Sequence, residues 1–307
     1  MENREIVYTD DLFEKLDDSE KNSEFIAVES KTFLKDAWDR FKKNKIALAG
    51  LIFLVVMVIL VIFVPLLSPY SYEEQNMSLR NAMPSLAHPF GTDQLGRDIL
   101  VRVMYGGRIS LAIGFATALI NLVIGIVYGG VSGYVGGKVD MVMMGIIDII
   151  YAVPTLLYVV LILMIFGNSI PSMMLAICLT SWIQMARQVR TQVMSLKEME
   201  FSLAAKVLGA SNLRILIKHL IINALGPIIV CLTMMVPSAI FTESFLSFVG
   251  IGLDLSIPSW GTLANDCRNV IFTYPIQIVW IVVIMCLTIL SLNFVGDGLG
   301  EALENKR

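Results

Sequence analysis

Polar and apolar positions are not mixed along this chain as they are along a water-facing surface; they are sorted into long blocks. Six blocks are almost wholly apolar: 46–67, 109–134, 141–165, 170–186, 221–242 and 276–295. A hydrocarbon core of about 30 Å needs about 20 apolar residues in a helix. In lipid, a lone segment can satisfy its backbone N–H and C=O groups only by being helical. The pattern therefore predicts an all-α, polytopic membrane protein with six transmembrane helices. The first block carries no charge and is too long for the apolar part of a secretory leader, so it reads as an anchor.

Composition sharpens this reading. Hydrophobic residues make up 56% of the 307 and charged residues only 16%, where soluble domains carry roughly 25% charged. That deficit excludes a soluble enzyme and a disordered regulator, and a net charge of −3 excludes a nucleic-acid binder that needs a basic face. Basic residues near span ends are retained in the cytoplasm. With the N-terminus inside, the inner side holds fifteen of them, including Lys42, Lys43, Lys45, Arg187, Arg190, Lys197, Lys206, Arg214 and Lys218; the outer loops hold five, Arg80, Arg97, Arg102, Arg108 and Arg268. The expected topology is N-in, C-in. The first thirty residues contain ten acids and three bases and read as a solvated cytosolic tail. The expected organisation is then an acidic tail and basic juxtamembrane segment (1–45), an anchor (46–67), an extracytoplasmic loop (68–107), a membrane core (108–297) and a cytosolic C-terminal tail (298–307). Cys178, Cys231, Cys267 and Cys286 are too scattered for a disulfide framework and read as free thiols.

Within the core, 188–223 is neither a span nor a turn-rich linker, and a connection that long usually carries function. Leu196, Met199, Leu203, Ala204, Val207 and Leu208 recur at helical spacing. Gly209 then ends the helix, and Ala210 and Ser211 offer a turn and an N-cap for a second helix from Asn212. Small residues at Ala204, Ala205, Gly209 and Ala210 would let another protein approach the backbone. Lys206, Arg214 and Lys218 beside Leu213, Ile215 and Ile217 fit an interfacial helix on headgroups equally well. In the second span Gly125, Gly129, Gly133 and Gly137 repeat every four residues, a ridge suited to close helix packing in lipid. Asp148 and Glu243 lie inside apolar blocks and read as intramembrane hydrogen-bond centres. Outside, a helix over 94–104 is expected, and Trp260 reads by itself as a headgroup-belt aromatic. No catalytic or metal-ligating set emerges. Gly137-Lys138 lacks the first glycine and the hydroxyl of a phosphate loop, having Ser132 and Val139 there, and His88 and His219 fall on opposite sides of the membrane.

The segment 196–211 resembles the "EAA" loop of ABC importer permeases. With it, HPFGTDQLGRDIL (88–100), YGGRISL (105–111), GGKVD (136–140), ESFLSFVGIGL (243–253), PSWG (258–261) and NFVGDGLGEAL (293–303) resemble the C-type permease of oligopeptide and dipeptide importers. The resemblance implies a type I ABC importer permease fold in a bacterial cell membrane and the role of translocation subunit, not of an enzyme with its own ATPase site. It implies four further partners: two ABC ATPase subunits carrying ATP and Mg, a second homologous permease forming a heterodimer, and an extracytoplasmic peptide-binding protein, which Trp260 would face. It makes 188–223 the coupling loop, in which Glu200, Ala204, Ala205, Gly209, Ala210 and Ser211 form the elbow, with Ala205 and Gly209 packing into an ATPase groove. The competing classes are a secondary transporter or channel driven by an ion gradient, a membrane-anchored scaffold or intramembrane enzyme, and an ABC permease for nickel or another small solute.

Overall fold

A computed structural model describes residues 33–303. The expectation for the acidic leader falls outside the described residues; of the expected C-terminal tail 298–307, residues 298–303 are not a tail but the last turns of the final helix, with Gly298 and Ala302 buried, and only 304–307 lie outside the described residues. Two units divide the chain, Met1–Asp36 and Ala37–Arg307, and of the first only the helical 33–36 is described. No strand occurs among the described residues. In order the helices are α1 (Phe33–Phe41), α2 (Lys45–Leu67), α3 (Ile99–Val135), α4 (Gly137–Ala152), α5 (Thr155–Phe166), α6 (Ile170–Lys197), α7 (Glu200–Val207), α8 (Asn212–Arg214, continuing as a π-helix over Ile215–Ile221), α9 (Leu225–Val249), α10 (Trp260–Asp266) and α11 (Ile276–Leu303).

Helix starts follow the local chemistry. Asn44 caps α2, its Oδ1 accepting from the N–H groups of Ile46 and Ala47 at 3.1 Å each. Asp98 caps α3 through the N–H of Val101 at 2.8 Å. Four helices, α2, α3, α9 and α11, are long and apolar enough to cross a membrane alone. Three sequence expectations are corrected. The block 141–165 is not one straight span: α4 and α5 meet at a bend of 80°, because Pro154 has no N–H and holds Val153 extended (φ −88°, ψ 129°). The outer helix over 94–104 does not exist as a separate element. Residues 94–98 form a turn, in which the Asp93 carboxylate takes the N–H groups of Leu95 and Arg97 at 2.8 and 2.9 Å. The helix begins at Ile99 and runs unbroken through the second block for about 56 Å at 1.5 Å per residue. Finally, 188–197 belongs to α6 and not to the connection that follows.

Close contacts set the directions. A methyl group added at Gly125 would strike the Met185 side chain, one at Gly129 the carbonyl of Ala186, and one at Gly133 would come within 2.8 Å of the carbonyl of Arg190. Both series rise together, so α3 and α6 run parallel. Gly137 is not part of this ridge; it lies past the end of α3 at φ +57° with open space around it, where the chain turns into α4. Since α3 and α6 are parallel, the chain between them must return, and it does: Tyr128 bonds to the carbonyl of Met143 at 2.7 Å, while Val159, Ile162 and Leu163 of α5 share a core with Ile113 and Met173. Gly114 of α3 lies against Ile240 and Val236, Gly296 of α11 against Met234, and Gly50 of α2 against Ser291. With Ser110 bonded to Glu243, Gly300 beside Val230 and Gly298 beside Ala47, these pairs make α9 antiparallel to α3, α11 antiparallel to α9, and α2 antiparallel to α11.

The fit at Gly129 admits no side chain, and overpacking a tight site costs about 1–3 kcal/mol. Gly129→Val should lower the thermal midpoint of the detergent-solubilised chain by several degrees, whereas Gly145→Ala, with nothing within 4 Å, should leave it unchanged or raise it. Differential scanning fluorimetry of both variants checks this.

Candidate transport path and coupling elbow

The elbow is built by sequence-local rules. After α6 ends at Lys197, Met199 is extended (φ −73°, ψ 150°) and α7 starts afresh, so Leu196 and Leu203 lie on different helices. Gly209 sits at φ +82°, a conformation that a residue with a β-carbon adopts only under strain. The N–H groups of Gly209 and Ala210 close the helix on the carbonyls of Lys206 and Ala205 at 3.0 Å each. Ser211 caps the next helix, accepting from the N–H of Arg214 at 3.4 Å. Glu200, Ala204, Gly209 and Ser211 are exposed and Ala210 is half-buried. Ala205 is not on the free face: it is only 8% exposed and joins the core that contains Ile215 and Leu220. What the elbow presents outward is Leu203, Val207 and Leu208, the last two 87% exposed.

Polar ties hold this elbow to the bundle. Tyr134, at the end of α3, donates to Asn212 Oδ1 at 2.8 Å, and Lys197 Nζ donates to the Tyr134 carbonyl while lying 5.4 Å from its ring centre. Asp140 accepts two bonds from the Arg190 guanidinium and one from Ser132. It therefore clamps the first turn of α4 to α6 in a bidentate pair.

Further along α6 lies a cavity of about 520 Å³. From α6 it is lined by Thr180, Ser181, Gln184, Arg187, Gln188 and Thr191, from α3 by Asn121, and from α9 by Ser238 and Thr242. Asn121 is buried and its Oδ1 has no partner among the described residues. The spacing of the α6 residues is one helical stripe, legible in the sequence but hidden by counting the segment as simply apolar. Asp148 finds its donor here: Arg187 Nη2 lies 2.7 Å from its Oδ1, and the guanidinium stacks 5.0 Å from the Tyr151 ring.

Glu243 is fully buried with hydroxyls alone around its carboxylate. Ser110, Ser244, Ser247 and Ser259 donate to it at 3.0, 3.2, 3.0 and 2.7 Å. Ser110, Ser247 and Ser259 in turn accept the N–H groups of Trp260, Leu253 and Thr262, each at 3.2 Å, so one acid joins α3, α9 and the start of α10. Trp260 is neither a docking face nor a belt aromatic: it is fully buried and donates to the Val103 carbonyl at 3.0 Å. At the same end, Arg97 and Arg102 pair with Asp93 and Asp266.

An all-helical bundle with a polar cavity on one helix and a glycine elbow at that helix's end defines a membrane transport subunit. Residues 122–307 match the model of the binding-protein-dependent transport system inner membrane component, and residues 32–85 match the N-terminal transmembrane domain of oligopeptide transport permease C. The chain belongs to the family of binding-protein-dependent transport system inner membrane components. Among similar proteins, the oligopeptide transport system permease protein OppC of Bacillus subtilis is 43% identical over 295 residues, covering 96% of this chain and 97% of the relative. The dipeptide transport system permease protein DppC of the same organism is 44% identical over 290 residues, with 94% and 91% covered. OppC of Escherichia coli K12 is 43% identical over 289 residues, with 94% and 96% covered. In fold, the chain is similar to an inward-facing structure of the MetNI methionine ABC transporter, with a TM-score of 0.52 at 20% identity over 67% of this chain and 97% of that one.

Cys267 gives a test of the packing at the Arg97–Arg102 end. Burial pushes its thiol up to about 12, so almost no thiolate exists at pH 8 in the folded chain. In a variant whose other three cysteines are alanine, maleimide should not label Cys267 at pH 8, and labelling should appear on unfolding or when Asp266→Ala loosens the ion pairs. Mass spectrometry reads the adduct.

Proposed function

We propose that this chain is the translocation-channel subunit of an ATP-driven importer of oligopeptides or dipeptides. One observation carries the mechanism: α6 lines the polar cavity along one stripe and ends at the elbow, so displacement of the elbow moves a wall of the cavity. The lining is mostly uncharged donors and acceptors, which suit a peptide main chain regardless of its side chains. The volume lies within the range of about 300–1,000 Å³ usual for small-molecule sites. Identity of 43–44% over most of the chain to permeases named for oligopeptides and dipeptides supports the substrate class over nickel or an ion-driven cargo.

In this reading α6 is the fourth of six spans, polar because it faces the path, and both termini are cytoplasmic. The alternating helix directions and the excess of basic residues at the elbow end support that topology. ATP and Mg reside on two partner ATPase subunits, and this chain binds neither. A second, homologous permease supplies the other half of the path, and a peptide-binding protein docks at the end where α3 begins. The exposed Leu203, Val207 and Leu208 enter a groove on one ATPase. Closure of the ATPases favours one arrangement of the bundle only through contacts that differ between the two arrangements, and the elbow is where those contacts are made.

Leu208→Glu places a charge in that groove, and losing a central interface anchor costs about 2 kcal/mol or more. Uptake of labelled peptide should fall at least roughly tenfold, with the amount of chain in the membrane unchanged by immunoblot. Gln184→Trp should block uptake by filling the cavity while leaving elbow-to-ATPase crosslinking intact. Full uptake by the Leu208→Glu variant would overturn the docking assignment.

A further inference from the structure

Arg187 is the one charged side chain among the residues that line the cavity on α6; the rest of the polar lining is amide, hydroxyl and phenol. Its side chain is 44% exposed, and the carboxylate it pairs with, Asp148, does not itself line the cavity. That pair is a single bond, from Nη2 to Oδ1 at 2.7 Å. Elsewhere in the bundle Arg190 commits two nitrogens to Asp140, and Arg102 commits two to Asp93 and Asp266.

A guanidinium carries five N–H donors in a planar fork that matches the two oxygens of a carboxylate. Nε and Nη1 of Arg187 make no hydrogen bond among the described residues. Whichever N–H of Nη2 serves Asp148, one edge of the fork, with Nε or with Nη1, therefore keeps both of its donors. Tyr151, another lining residue, lies 5.0 Å from the guanidinium and orients its plane. A single-point pair between exposed side chains is weak, so Asp148 does not withhold Arg187 from a second anion.

The stripe fits a short peptide in length. Thr180 and Arg187 are seven residues apart, about 10 Å along a helix at 1.5 Å per residue. An extended chain advances about 3.3 Å per residue, so three residues cover that distance. Ser181 and Gln184 lie between the two ends and offer a hydroxyl and an amide to the main chain. An N-terminal ammonium finds no acid on this wall.

We propose that Arg187 determines specificity in this cavity by taking the free C-terminal carboxylate of the peptide on the open edge of its fork, while the N-terminus is left unread. The assignment rests on the peptide-import reading and adds to it which end of the peptide is recognised.

The test is ATP-driven uptake of radiolabelled trialanine, its C-terminal amide and its N-acetyl derivative by the full importer, binding protein included, in proteoliposomes. For each peptide, uptake by a variant is divided by uptake by the unsubstituted complex at equal chain content, so any preference of the binding protein cancels. Arg187→Gln should lower the two peptides with a free carboxylate about tenfold, the effect of one charge-assisted hydrogen bond, and the amide far less. Arg187→Lys keeps the charge without the fork and should fall between; where Arg187→Gln fails to assemble, it reads the same difference. Asp148→Asn removes the pair but not the fork, and should change all three peptides alike. An equal fall of all three in Arg187→Gln, or a loss confined to the free carboxylates in Asp148→Asn, overturns the assignment and leaves Arg187 as a tie between α4 and α6. The amide of Ala-Glu-Ala carries its carboxylate on a side chain alone; if Arg187→Gln lowers it as much as trialanine, recognition of the C-terminus is overturned. No uptake of any peptide by the unsubstituted complex overturns the import reading itself, whereas uptake with an equal fall removes only the role of Arg187.

Discussion

Helices in lipid gain little from burying apolar surface against each other, because the tails around them are as apolar as leucine. Close van der Waals packing and buried polar bonds must do what the hydrophobic effect does in water. The structure rests on one such contact, the seam where Gly125, Gly129 and Gly133 of α3 admit the backbone of α6. That seam brings a helix with a polar stripe into the bundle, forces the bent α4–α5 pair to carry the chain back between them, and leaves the stripe facing Asn121, Ser238 and Thr242.

The two ends of the bundle are built differently. Where α3 begins, Glu243 gathers serines from three helical elements, Trp260 is sealed beneath them, and two guanidiniums cross two carboxylates. Each is a bond network whose disruption strands a buried polar group, so this end is stiff. At the other end the strong ties, Arg190 to Asp140 and Tyr134 to Asn212, alternate with glycines at positive φ, Gly136, Gly137 and Gly209. Rigid arms joined at such points suit hinge motion, and the π-helical stretch before α9 adds a further irregular joint there.

The ion pair between Asp148 and Arg187 combines both features. Arg187 faces the cavity while Asp148 sits on α4, so the pair links the far side of the bend at Pro154 to the helix that leads into the elbow. Arg187 thus belongs both to the wall of the cavity and to the tie between α4 and α6.

Much of this was legible in the residue order. The apolar blocks, the excess of basic residues on one side, the glycine ridge and the Gly209 turn are properties of single segments, readable from hydropathy, spacing and backbone preference. Pro154 carried a signal that block length overrode, and the stripe at 180, 181, 184, 187, 188 and 191 was masked by average hydropathy. Ala205 turning inward, Trp260 as core, Gly137 leaving the ridge, and the meeting of α6 with Asn121 and Ser238 were decided only in three dimensions. They depend on how each helix is rotated about its own axis and on distances between residues far apart in the chain, and neither quantity is carried by the pattern of one segment alone.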